Sequence, residues 1–328
     1  MTEPRWTSRH IHYQEPLDRL INGAIRPLFA DLTGGCLVED HFFVRHWQAG
    51  PHLRLRLKPR TSQDAAKVAD LVDRHVRGFL DTSPSRTVIS EQEYLRIAQP
   101  LVVVERGQDT VEPLQPDNSM RTAHYEPELG RYGDTPEAMR AVERHFTESS
   151  ELAADIVASD VPADRRSGQA LTMMLVSAMV AANGAGGLTG YFDTGQRGWG
   201  RQLLFGDVAA SEQLFEAKFQ RQRPRLVRLV WRLVELVEAG ATDEAGPEVA
   251  RWTASTTALR QRLDGLQQQG LFAPRELLMG STPDAGLRSV LLFCSHMHNN
   301  RLGISLPAES YLMYLLWRSI SEITGGAN

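Results

Sequence analysis

The sequence predicts an α+β fold, with an antiparallel sheet in the N-terminal third and a mostly helical C-terminal part. Two observations predict it. Residues 9–14 and 52–58 alternate apolar and polar side chains, the period of a half-buried strand, and 41–47 looks like the hairpin partner of 52–58. After Gly133 the texture changes, and apolar residues recur every three to four positions in successive long segments. No repeat or disordered linker interrupts the chain, so residues 1–328 read as a single domain, sheet-rich over 1–133 and helix-rich over 134–328.

In order, residues 9–14 form a first strand and 17–32 a helix, whose stripe is Leu17, Leu20, Ile21, Ile25, Leu28, Phe29 and Leu32. The segments 41–47 and 52–58 make a hairpin through Gln48-Ala49-Gly50-Pro51. Residues 63–80 return to helical spacing. Residues 101–106 read as a further strand, with Val111 to Leu114 as its partner. Thr135 caps a helix that has Pro136 at its first position and runs to about Ala158. Helices follow at 164–182, 211–239, 247–269, 285–302 and 307–323. The last is capped by Ser305, with Pro307 in its first turn. The glycine-rich stretch Gly184 to Gly190 follows no strand and precedes no helix, so it reads as a turn cluster and not a phosphate loop.

Composition narrows the function classes. A net charge of −4 gives no electrostatic case for nucleic acid or an anionic membrane as partner. Only Lys58, Lys67 and Lys218 are lysines, and so marked a preference for arginine makes each arginine less informative by itself. Cys36 and Cys294 are too few for a disulfide framework or a cysteine zinc site. No apolar run could span a bilayer, and Met1-Thr-Glu-Pro-Arg5 lacks a signal-peptide core. The expectation is a cytoplasmic enzyme or binding protein.

Three short motifs carry the chemistry. His52-Leu53-Arg54-Leu55-Arg56 puts an imidazole and two guanidiniums on one strand face and the leucines on the other. Such a face is either solvated or holds an anion, and fixed cations suit a reaction that develops charge on a carbonyl oxygen. The preceding strand ends in Arg45-His46-Trp47, which the hairpin would bring nearby. In the second motif, Tyr125 to Gly133, Glu128 and Arg131 stand three apart and can meet on one turn. The alternative reading is a loop-to-helix junction with Gly133 as its turn. In the third, Ser295-His296-Met297-His298-Asn299-Asn300-Arg301, His296 and Asn300 share a helix face while His298 points elsewhere. There the alternative is a helix C-terminus with basic side chains complementing the exposed carbonyls. Carboxylates at ligand spacing are missing around the histidines, so no metal is expected.

Together these segments resemble the C-terminal elimination domain of class I lanthipeptide dehydratases and its stand-alone thiopeptide relatives. The pattern is Phe42-Phe43-Val44-Arg45, then His52 to Arg56, Tyr125 to Gly133, and His296 to Arg301, and the resemblance runs from about Trp6 to the C-terminus. It implies that Arg54, Arg56, Arg131 and His296 are the reacting groups, the same residues singled out above. One branch of the family removes glutamate from glutamylated Ser or Thr. A second, the pyridine synthases, joins two dehydroalanines in a formal [4+2] cycloaddition, losing water and the leader peptide. Arg26-Pro27-Leu28, Pro116-Asp117-Asn118-Ser119, Asn299 to Ile304 and Asp134 in place of a second glycine look more like the second branch.

The resemblance therefore implies a pyridine synthase that needs no cofactor. Its catalytic set is His296, Arg54, Arg56, Arg131, Tyr125, Glu128 and Ser295. Its substrate-binding set is His52, Arg45, Trp47, His298, Asn300 and Arg301. Its partners are a modified precursor peptide, made of a leader and a dehydrated azole-containing core, and an associated dehydratase. A glutamate eliminase and a non-catalytic leader-binding scaffold are the two alternatives.

Overall fold

The computed structural model describes residues 6–106, 110–159, 162–204 and 206–325. The segment Met1 to Arg5, considered above for targeting, lies outside them. By internal contacts the chain forms two compact units. The first comprises Met1–Pro127, Phe146–Val161 and Asn300–Gly303, and the second the remainder.

In the first unit β1 (Thr7–His12) leads into α1 (Leu17–Leu20), a π-helical turn (Ile21–Ile25) and α2 (Arg26–Gly34). Pro27 has no N–H to offer the carbonyl four residues back, and the helix widens to the π turn immediately before it. β2 (Val38–His46), β3 (His52–Pro59), α3 (Asp64–Thr82), α4 (Glu91–Arg106) and β4 (Ser119–Ala123) complete the element list. The sheet is antiparallel throughout, in the order β2-β3-β1-β4. Leu53, Leu55 and Leu57 are fully buried on one face together with Ile11, and Val68, Val72, Val76 and Leu80 supply the buried stripe of α3.

The expected strand at 101–106 is instead the end of α4. Ser90 and Glu93 form a reciprocal capping box that starts this helix well upstream, and Tyr94, Ala98 and Val102 continue it as a buried stripe at four-residue spacing. A short apolar run is compatible with either element, and the cap decides it. Val111 to Leu114 lie in no strand. The fourth strand is β4, which has no fully buried residue and so carries little pattern. It is placed by the turn before it: Asn118, at φ +53°, clamps the backbone of Ser85, and Asp117 accepts from the Gln14 amide.

The second unit contains α5 (Leu129–Tyr132), the Pro136–His145 part of α6 (Pro136–Ala158), α7 (Ala163–Ala182) and α8 (Leu188–Gly195). A π turn at Gln196–Gly200 follows, then α9 (Val208–Glu238), α10 (Pro247–Gln268), α11 (Ala285–Leu302, here up to Asn299) and α12 (Leu306–Gly325). The Thr135 hydroxyl caps α6 as expected, accepting from Ala138 at 3.2 Å. The 184–190 region is a turn only in part. Asn183 and Gly184, both at positive φ, end α7, and α8 then begins at Leu188 within the stretch read as non-helical. Leu312, Met313, Tyr314, Leu315 and Leu316 are all buried, so α12 is enclosed nearly all round and forms the core helix of this unit. Among the described residues no single helix is long and apolar enough to cross a membrane.

Gly133 ends α5 at φ +127°, and a Cβ there would lie 2.5 Å from that of Ala138 and 2.8 Å from the Phe272 ring. Gly133→Ala should therefore destabilise by about 1–3 kcal/mol. Chemical denaturation of the two proteins checks this, and an unchanged midpoint contradicts it.

Candidate functional site

In the first unit the β1–β3 register pairs Ser8 with Arg56, His10 with Arg54 and His12 with His52. These six side chains share the face opposite the leucines, joined by Arg121 across from His10 and His46 across from His52. The face is largely buried: His52 is 1% exposed and Arg56 7%. The His52 ring lies 4.6 Å from that of His12, 4.9 Å from His10 and 5.2 Å from His46. Arg56 donates to Ser8 Oγ and approaches His10 Nε2, and its guanidinium lies over the Tyr125 ring at 5.5 Å. Tyr125 in turn is held edge-on by Trp6 and Phe42.

Burial, reinforced by Arg54, Arg56 and Arg121, lowers the His10 pKa to about 3. Burial and Arg121 bring His12 to about 4, and burial brings His52 to about 2. These imidazoles are neutral at ordinary pH. Burial lowers Arg56 to about 10, so it remains a cation.

In the second unit α11 presents His296 to α12. Its Nδ1 lies 2.9 Å from Oε2 of Glu309, a carboxylate that is 1% exposed. The Trp199 indole donates to the other carboxylate oxygen at 3.1 Å and sets its edge against the His296 ring at 5.0 Å. Burial alone would raise the Glu309 pKa, but the His296 charge and the hydrogen bonds from His296 and Trp199 outweigh it and hold the carboxyl below its usual range. With Glu309 ionised, Nδ1 of His296 carries the proton that faces it.

Arg131 belongs to the same neighbourhood. It pairs with Glu128 at 2.9 Å and Glu276 at 3.0 Å, and stacks over Phe293 at 4.9 Å. Phe293 also meets Trp199 edge-on at 5.9 Å. An aromatic chain of Phe293 and Trp199 thus connects the arginine to the histidine. Ser295 is buried beside them in sequence.

Several of the expected substrate-binding side chains are engaged in packing and hydrogen bonds. His298 is fully buried, tilted on Trp252 at 4.2 Å with Nε2 2.9 Å from Met173 Sδ. Arg301 is also fully buried; it donates to the Phe43 carbonyl and the Ser149 hydroxyl and lies over Phe146. Asn300 bonds both the N–H and the C=O of Arg45, whose guanidinium is taken by Asp18 and the Arg301 carbonyl. His298, Asn300, Arg301 and Arg45 thus make packing and backbone contacts. Trp47 is half-buried and stacks on His46.

A model of the lantibiotic biosynthesis dehydratase C-terminal family matches residues 6–320. The chain belongs to that family. No curated protein matches it. Among solved structures it is similar to TbtD, the pyridine synthase from thiomuracin biosynthesis, at 21% identity, covering 98% of this chain and 99% of that one with a TM-score of 0.79. TsrL matches at 18% identity over 98% and 95% of the two chains, TM-score 0.68. MibB, a tRNA-dependent lantibiotic dehydratase from Microbispora sp. 107891, matches at 16% identity and TM-score 0.62; all of this chain aligns with 29% of that one.

Glu309, Trp199, Phe293 and Glu276 are side chains of the candidate site that the motifs do not contain. Glu309 had one available signal, an acid in the first turn of a helix that then turns almost wholly apolar. Glu276 and Trp199 lie in irregular or π segments with no periodicity to mark them.

The histidine face has a consequence for stability. Above about pH 6.5 an imidazole is neutral in both states and contributes nothing; below it the unfolded chain takes up protons that His10, His12 and His52 refuse. Stability should therefore fall as the pH drops from 6.5 toward 4, with a slope of up to about 1.4 kcal/mol per pH unit for each histidine. Unfolding midpoints at pH 7.5, 6.0 and 5.0 check this, and His12→Phe should flatten the dependence. A wild-type midpoint that holds constant over this range contradicts it.

Proposed function

We propose that the protein is a thiopeptide pyridine synthase acting on a precursor peptide with a leader and two dehydroalanines in its core. The observation that carries the proposal is His296 on Glu309: an imidazole whose Nδ1 is held by a buried carboxylate. The reaction needs a proton moved, not a cofactor. One amide N–H loses its proton and the amide oxygen gains one, giving an iminol whose C=N and neighbouring C=C form a 2-azadiene. Bonds to the two alkene carbons of the second dehydroalanine close the ring. Loss of the iminol oxygen as water, and of the leader as its amide, leaves the pyridine.

His296 is suited to shuttle the proton from nitrogen to oxygen, with Glu309 stabilising the imidazolium in between. Arg131, fixed by Glu128 and Glu276, polarises an amide carbonyl. Arg54, Arg56 and Tyr125 hold the peptide. Most of the acceleration comes from keeping two alkenes of one chain in stacking geometry, since well-oriented intramolecular reactions reach effective molarities of about 10⁵–10⁸ M. The match to TbtD over nearly the whole of both chains supports this reading. An associated dehydratase belongs to the same reading as the source of the alkenes.

One observation favours glutamate elimination as a second reading. Among the described residues Arg56 has no carboxylate at ion-pair distance, and a cation so held suits a departing carboxylate.

Two peptides incubated in parallel and followed by intact mass decide the matter. Release of the leader amide with a pyridine macrocycle from an azole-bearing bis-dehydroalanine peptide is expected. Glutamate loss from a glutamylated precursor, with the first peptide untouched, overturns the proposal in favour of an eliminase. Tight binding without any mass change overturns it in favour of a scaffold. In the active assay His296→Ala should lower kcat by about 10²–10⁴ with KM nearly unchanged. An unchanged rate removes His296 from the chemistry.

A further inference from the structure

The sheet arginines are held in an unusual way. Most partly buried guanidiniums are fixed by carboxylates, as Arg131 is by Glu128 and Glu276. On β3 imidazoles are among the acceptors, beside the Ser8 hydroxyl for Arg56. Arg54 Nε lies 3.2 Å from His52 Nε2, and Arg56 approaches His10 Nε2 at 3.3 Å. His52 Nδ1 is 2.8 Å from the Gly50 carbonyl, which can only accept; Nδ1 therefore carries the proton and Nε2 must be the acceptor for Arg54. The Gly50 carbonyl is itself fixed by its turn. Ala49 and Gly50 sit at positive φ, and the Ala49 amide donates to the Tyr94 hydroxyl at 2.7 Å.

A neutral acceptor orients a guanidinium without cancelling its charge, whereas a carboxylate would do both. We propose that His52 and His10 are positioning residues: neutral imidazole acceptors that aim Arg54 and Arg56 at a carbonyl or carboxylate oxygen of the peptide while leaving the Arg56 charge uncompensated. This rests on the peptide-modifying reading above and assigns His52, with its 1% exposure, a place behind the arginine and not against the substrate. Burial keeps these imidazoles neutral, and the charged and aromatic groups facing them add to it. Around His10 they are Arg54, Arg56, Arg121, His12 and His52; around His52 they are Arg54, His10, His12 and His46. Asp117 is the opposing charge, and it acts on His12.

The test has two arms. In the first, nitrogen NMR of histidine-labelled protein reads the tautomers without any substrate. His52 should show a protonated Nδ1 and a bare Nε2, unchanged from pH 8 to pH 5.5. Titration of His52 in that range, or a proton on Nε2, overturns the proposal whatever the protein acts on. The second arm uses the bis-dehydroalanine peptide and compares KM with kcat. His52→Gln, which keeps a neutral acceptor, should match the wild type within about threefold. His52→Met should raise KM at least tenfold. His10→Glu, which can hold Arg56 while neutralising it, should do the same although the protein remains folded by circular dichroism. A His10→Glu variant with wild-type KM contradicts the charge argument. If the wild type converts no peptide, the functional reading has failed and the NMR arm alone decides this one.

Discussion

A carboxylate with 1% exposure is tolerated only when its lone pairs and its charge are both answered, and Glu309 meets that requirement with the His296 ring and the Trp199 indole. The surroundings follow from this requirement. α12 is apolar on nearly every side, so it buries its own first turn and the acid in it. Ser310, the next residue, donates to the Gly200 carbonyl and ties that turn to the segment that carries Trp199. Phe293, one turn before His296 on α11, contacts both Trp199 and the Arg131 guanidinium. Each of these side chains limits the freedom of the next. His296 is thereby held in one orientation against Glu309, the preorganisation that the proposed proton transfer requires.

The sheet of the first unit solves a different electrostatic problem. Its buried polar face collects Arg54, Arg56 and several histidines, and the imidazoles give up protonation so that the arginines can keep theirs. The cost is charged to stability at low pH, because unfolding releases these rings into water where they would ionise. Leucines on the opposite face anchor β3 regardless, so the strand can carry a demanding polar set on one side.

Much of this was legible in the sequence, for physical reasons that differ from place to place. The alternation in β3 gave its two faces because the period of a strand is two, and the Glu128–Arg131 pair followed from helical spacing. The long helices were visible through their stripes, and the α6 start through Thr135 and Pro136. The errors have equally definite causes. The run at 101–106 carries apolar residues without a period, and only the distant capping box shows that it is helix. β4 has no buried residue and is defined by the Asp117–Asn118 turn. Motif neighbours also take different places: His298 and Arg301 stand beside His296 in the chain, yet one packs on Trp252 and the other donates to the Phe43 carbonyl. Neighbours in sequence on a helix face different directions, whereas Glu309 comes from another helix and has no motif to announce it.

The proposed function requires His296 and Glu309 to act as one proton-carrying unit. A double-mutant cycle in single turnover tests it most directly, using His296→Ala, Glu309→Gln and the pair on the bis-dehydroalanine peptide. Residues that work as a unit are strongly non-additive. The double variant should be no slower than His296→Ala alone. If the two losses multiply, the residues act independently, and the pairing seen between them is not the one that moves the proton.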